Sequence, residues 1–169
     1  MQHFSRLLRL CFAATVALGA LTAQGADDPF QRIKKLEGTW FAVDARGQVT
    51  NQIVSIFRVT ANGHSVEEIM FPGSDNEMIN MYFRDVDDVL MTHYCAGGNQ
   101  PTLRLVATPK PGVVQLEYAN ISNMISMNDE HMHEGQYQWV DEDHLKTEWR
   151  SFKDGRYLST SRFEMVRRK

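Results

Sequence analysis

Cysteine is scarce in this chain, whose 169 residues include only two, Cys11 and Cys95. Cys11 lies inside an apolar N-terminal run from Leu10 to Leu21 that follows Arg6 and Arg9 and ends in the small-residue stretch Thr22-Ala23-Gln24-Gly25-Ala26. That arrangement predicts a secretory signal peptide over residues 1–25, cleaved near Gly25–Ala26, and therefore an exported protein of the periplasm or extracellular space. The run falls short of the roughly 20 apolar residues of a membrane span and is stopped by Asp27, Asp28 and Pro29, so no stable span is expected, an uncleaved anchor being the alternative. Cys11 lacks the small residues of a lipoprotein cleavage box before it, and no lipid anchor is expected. With Cys95 left alone, a hydrophobic core must hold residues 26–169 together.

Positive charge is also scarce. Without Arg6 and Arg9, 16 of the 18 basic residues face all 21 acidic ones, a net charge of −5 that argues against a nucleic-acid partner. Arg167, Arg168 and Lys169 gather at the end and read as a solvated tail. No repeat, low-complexity tract or second domain is visible, and neither acidic turn has the twelve-residue ligand pattern of a calcium loop. Helical periodicity is nearly missing. It is confined to Pro29–Leu36, where Phe30, Ile33 and Leu36 share a face, and to the short stretch Ala119–Asn128.

What remains is a series of short runs rich in Val, Ile, Phe, Tyr and Trp, separated by turn residues, which is the pattern of an all-β barrel or sandwich. Asn62-Gly63 suits a two-residue hairpin, and 85–88, 109–112, 141–143 and Asp154-Gly155 are further reversals. These turns predict about ten strands, at 38–44, 49–60, 64–71, 77–84, 89–95, 102–108, 113–119, 131–140, 145–152 and 157–166. Every link is hairpin-like, so the expected fold is one antiparallel up-and-down β-barrel preceded by a short helix.

Leu36-Glu37-Gly38-Thr39-Trp40 after a helical turn resembles the entrance of calycin-type barrels, in which the Trp closes the barrel floor. Phe71-Pro72-Gly73, then the run from Thr92-His93-Tyr94-Cys95 to Asn99-Gln100-Pro101, then His131-Met132-His133, and finally Trp149 and Phe163-Glu164, resemble in order a lipocalin-like bacterial family of unknown function. The resemblance implies a calycin-like barrel and no particular substrate. In that family Pro-Arg-Met follows the amide pair, whereas here Thr102 and Leu103 intervene and the arginine is Arg104.

Strand alternation puts Met91, His93 and Cys95 on one face, and His131, His133, Tyr137 and Trp139 on one face of another strand. If both faces look inward, two His/Cys pairs meet in one lumen, with Asn99 and Gln100 on a loop at its mouth and Arg104 on the next strand. A few polar groups in an interior otherwise lined by Phe, Met and Trp suit a small hydrophobic or amphipathic ligand. A hydrogen-bonded structural network of the same residues is the plainer reading. A third reading makes His93, Cys95, His131 and His133 a zinc or copper site, with soft donors Met124, Met127 and Met132 nearby. Haem is less favoured, since nothing beyond these histidines would mark an axial ligand. A fourth makes Cys95 a nucleophile with His131 or His133 as base and Asn99 or Gln100 stabilising charge. His64 and His144 fall in predicted turns and read as surface residues.

Overall fold

The protein is described from a computed structural model covering residues 28–126 and 128–168. Residues 1–27, on which the expected signal peptide with Arg6, Arg9 and Cys11 falls, and also Met127 and Lys169, lie outside the described residues. Helix α1 (Pro29–Lys34) begins at Asp28, whose carboxylate accepts from the Phe30 N–H at 3.0 Å, with Pro29 supplying the fixed φ of a first helical turn. Phe30, Ile33 and Leu36 are buried as their spacing requires.

Ten strands follow: β1 (Gly38–Val43), β2 (Val49–Thr60), β3 (Ser65–Met70), β4 (Met78–Asp85), β5 (Asp88–Tyr94), β6 (Gln100–Ala107), β7 (Val113–Ser122), β8 (His131–Trp139), β9 (His144–Lys153) and β10 (Arg156–Arg167). Each pairs antiparallel with its sequence neighbour, and β1 pairs with β10 to close the barrel, which leaves no open sheet edge. The expected all-β barrel with one short helix is what forms. Among the described residues no helix is long and apolar enough to cross a membrane.

Local chemistry explains the turns. Asp154 and Gly155 both adopt positive φ, at 53° and 68°, between the paired Lys153 and Arg156, the conformation that lets a two-residue hairpin follow the strand twist. Asn62-Gly63 behaves otherwise than expected: Ala61, Asn62 and Gly63 form a 3₁₀ turn, and pairing resumes only between Thr60 and Ser65. The described residues of the stretch 119–128 are not helical either. β7 runs on to Ser122 because Ile121 and Ser122 pair with Pro101 and Gln100, and strand pairing outweighs the weak helical pattern.

One end of the barrel is closed. Trp40 is fully buried there and donates its indole N–H to the Leu36 carbonyl at 2.7 Å. The Arg167 guanidinium lies over the Trp40 ring, bonds the Lys35, Glu37 and Glu142 carbonyls, and pairs with Asp143. Arg168 sits over Phe41 and bonds Thr50 and Asn51. The expectation of a solvated basic tail holds for Arg168, which is exposed, and fails for Arg167, whose planar cation is largely covered by an aromatic face and carbonyl oxygens at the barrel wall. Gly38, at φ +131°, leaves room for the Arg167 stem: a Cβ there would stand 2.9 Å from Arg167 Cδ.

Candidate functional site

The opposite end of the barrel is open and holds a cavity of about 730 Å³. Its walls come from the ends of β3, β4, β5, β8, β9 and β10 and from the 95–99 and 123–130 loops. Met70, Phe71, Met78, Met132, Trp149 and Phe163 form the apolar part, and the Phe71 and Phe163 rings pack at 5.3 Å. His93, Cys95, Asn99, His131, Ser151 and Ser161 supply polar groups. A volume of this size suits a small organic molecule.

β5 alternates as expected: Met91 and His93 are buried, and Cys95, just past the strand end, lines the cavity. The Cys95 sulfur accepts from the Gly97 N–H at 3.4 Å, and among the described residues no hydrogen bond joins it to a histidine. The nucleophile–base pair of the cysteine-enzyme reading is therefore not assembled. Asn99 is buried in the turn after β5, and its side-chain N–H₂ donates to the Glu130 carbonyl at 2.9 Å. That bond ties the 95–99 loop to the 123–130 loop across the cavity mouth. Gln100 does not line the cavity. Its amide is spent on the Gly98 carbonyl and the Ser122 hydroxyl.

β8 departs from simple alternation. Met132 pairs with Ser151 and Glu134 with Arg150, leaving His133 as the extra residue of a β-bulge. Met132 consequently joins Ser151 on the cavity wall. Pairing between β7 and β8 stops at Leu116 and Gly135, and beyond that point aromatic rings fill the seam. His133 is stacked between Tyr118 at 4.4 Å and Phe152 at 4.3 Å, and its Nδ1 meets His131 Nε2 at 3.0 Å. His131 Nδ1 lies 3.0 Å from the Asp129 carbonyl. His131 lines the cavity and His133 does not. The convergence of His93, Cys95, His131 and His133 is thus not realised, because the bulge turns His133 into the seam. Among the described residues no three His, Cys, Asp or Glu groups are placed to hold a metal ion.

Arg104 is a further correction. It alternates with the inward Leu103 and Leu105, so it is exposed on the outer wall, paired with Asp88 at 3.1 Å. Tyr137 does point inward, yet it lies outside the cavity lining, in a separate polar cluster.

That cluster centres on Glu68, whose side chain is only 1% exposed. Ser55 donates to its Oε1 at 2.7 Å, and Asn80, Tyr82 and Tyr137 donate to Oε2 at 2.7, 2.6 and 3.0 Å. The Tyr82 and Tyr137 hydroxyls also contact each other. Burial, together with the Glu68 charge, holds both phenols well above their ordinary pKa, so they stay neutral donors. Asn80 carries the network upward, because its Oδ1 lies 2.7 Å from His93 Nδ1. Burial pushes the His93 imidazole down to about 4, leaving it uncharged at neutral pH. Alternation was the available signal: Val66, Glu68 and Met70 share the inward face of β3, as do Asn80 and Tyr82 on β4.

Trp149 lies opposite Gly135 and spreads over it; a Cβ at Gly135 would come within 3.0 Å of the indole ring. The Trp149 indole N–H and Asn99 Oδ1 are both buried without a hydrogen-bond partner, and both belong to cavity-lining residues. In comparison with known proteins, the chain matches no family model and no curated protein by sequence.

Proposed function

We propose that this is an exported, lipocalin-like protein that binds a small amphipathic molecule in the open end of its barrel. The observation that carries the reading is the open-ended cavity of about 730 Å³, whose wall joins Met70, Phe71, Trp149 and Phe163 to the polar side chains of His93 and Asn99. The apolar body of that molecule rests on the methionine, Phe71, Phe163 and Trp149 side chains, and its polar end lies near His93 and Asn99. The leader-like N-terminus supports export, and the barrel fold is compatible with carriage of a ligand.

Native mass spectrometry of protein recovered from the exported fraction tests this directly. A bound small molecule, released on unfolding, is the expected result. Protein that is fully matured yet retained inside the cell, or that carries nothing and takes up no apolar probe such as an anilinonaphthalene dye, would overturn it.

A further inference from the structure

We infer that the open end of the barrel docks on a membrane surface bearing anionic phospholipids, through the β9–β10 hairpin and the loop after β7. The inference goes beyond the ligand-binding reading and does not depend on what the cavity holds.

Exposed large apolar side chains gather at one end of the molecule. Tyr94 at the end of β5, Ile125 in the loop after β7, and Tyr157 and Leu158 at the start of β10 all stand at the open end, and Ile125 is fully exposed. Among the described residues the turns of the closed end show only Val86 and Val140. Below the open rim a row of rings runs from the hairpin to the seam between β7 and β8. Tyr157 meets Phe152 edge-on at 6.3 Å, Phe152 stacks on His133 at 4.3 Å, and His133 stacks on Tyr118 at 4.4 Å. Phe152 faces outward, because its neighbours Ser151 and Lys153 line the cavity. Aromatic rings with polar tips, clustered around one end, suit the boundary between lipid headgroups and acyl chains.

Charge selects the partner. Lys153 and Arg156 flank the hairpin turn, both are exposed, and among the described residues neither forms an ion pair. The cations next to them on the outer wall are spent otherwise: Lys146 pairs with Glu164, Arg150 with Glu134 and Glu148, and Arg162 with Glu148. Asp154 is the one carboxylate of the hairpin turn, so two cations outnumber it. In the loop after β7 the Asp129 carboxylate is turned back on its own chain, accepting from the Ile125 and Ser126 N–H groups, which leaves the Ile125 side chain free to insert. Anionic headgroups supply the counter-charge that Lys153 and Arg156 lack, and the long stems of both side chains reach the headgroups while Tyr157 and Leu158 enter below them. A second copy meeting this hairpin across a two-fold axis sets the same cations against their own counterparts.

Cosedimentation of the purified protein with vesicles tests the inference. Vesicles of phosphatidylcholine containing about 30% phosphatidylglycerol should bind it about tenfold more tightly than phosphatidylcholine alone, and about 0.5 M salt should remove most of that preference. A double variant, Arg156→Glu with Leu158→Asp, alters two exposed side chains outside the cavity lining. It should lose vesicle binding at least about tenfold while keeping the wild-type circular dichroism spectrum and dye uptake. Should it fold poorly, Arg156→Glu alone should still abolish the preference for anionic vesicles. Absence of vesicle binding, equal binding to both vesicle types, or undiminished binding in the variants would overturn the inference. So would self-association in analytical ultracentrifugation that the same substitutions abolish, which assigns the patch to a second copy. Protein that takes up dye yet ignores vesicles refutes this inference alone, whereas vesicle binding without dye uptake supports it and counts against the ligand-binding reading.

Discussion

Asn80 decides which nitrogen of His93 carries the proton: its Oδ1 lies 2.7 Å from His93 Nδ1 while its N–H₂ is committed to Glu68. A single amide on β4 thereby couples a buried carboxylate on β3 to an imidazole on the cavity wall of β5. Replacing Asn80 with Ala strands both partners. Unfolding in urea should show a loss of roughly 2–4 kcal/mol, the range for leaving two buried polar groups unpaired. Nitrogen chemical shifts of His93 should move from the single Nδ1–H tautomer to a mixture. A variant with wild-type stability and an unchanged His93 signal would show that the amide has no such role.

The depressed His93 pKa makes a statement about acid stability. In the unfolded chain the imidazole titrates near its ordinary value of 6.5, and in the barrel at about 4, so between these pH values the unfolded state holds more protons. Stability must therefore rise with pH through that window and fall as the solution is acidified from 6.5 toward 4, by up to about 3 kcal/mol. His133, also lowered by burial and by His131, adds a smaller change of the same sign. Urea midpoints measured from pH 4 to 7 should show the slope, and His93→Gln should remove most of it. A full slope in that variant would contradict the assignment.

Arg167 is expected to matter far more than a near-terminal basic residue would. Its guanidinium joins the chain after α1 to the β8–β9 turn and covers Trp40. Arg167→Ala should lower the melting temperature by roughly 6–12 °C, equivalent to about 3 kcal/mol in a domain of this size. Arg167→Lys should rescue little, since an ammonium cannot reproduce the planar fork. Melting curves followed by circular dichroism would check both.

Trp149 should separate stability from binding. Trp149→Phe removes an indole N–H that has no partner in the barrel, so unfolding free energy should change by no more than about 1 kcal/mol. Affinity for an anilinonaphthalene dye should fall about threefold or more, because the smaller ring covers less of the apolar cavity wall. Gly135→Ala acts on the same ring from behind. Its Cβ would force the indole toward the cavity, and a shift in tryptophan emission together with weaker ligand uptake is expected. Unchanged binding in both variants would remove Trp149 from the site.

Alternating apolar side chains and turn residues made the ten strands legible along the chain, because period-two patterning and tight-turn chemistry act over a few residues. The same alternation correctly aimed His93 and Cys95 at the cavity. Three matters were decided elsewhere. The bulge at His133 arises from the pairing of β8 with β9, and it diverted one histidine of an apparent metal quartet into the seam between β7 and β8. Closure of the barrel brought β2, β3, β4 and β8 around Glu68, joining residues as far apart as Ser55 and Tyr137, a distance along the chain that no local pattern spans. Arg167 became a structural clasp only because β10 ends beside Trp40, and charge patterning alone had marked it as solvated. Strand identity is a short-range property of side-chain periodicity. Which polar groups meet in the lumen depends on register and closure, which the whole barrel sets together.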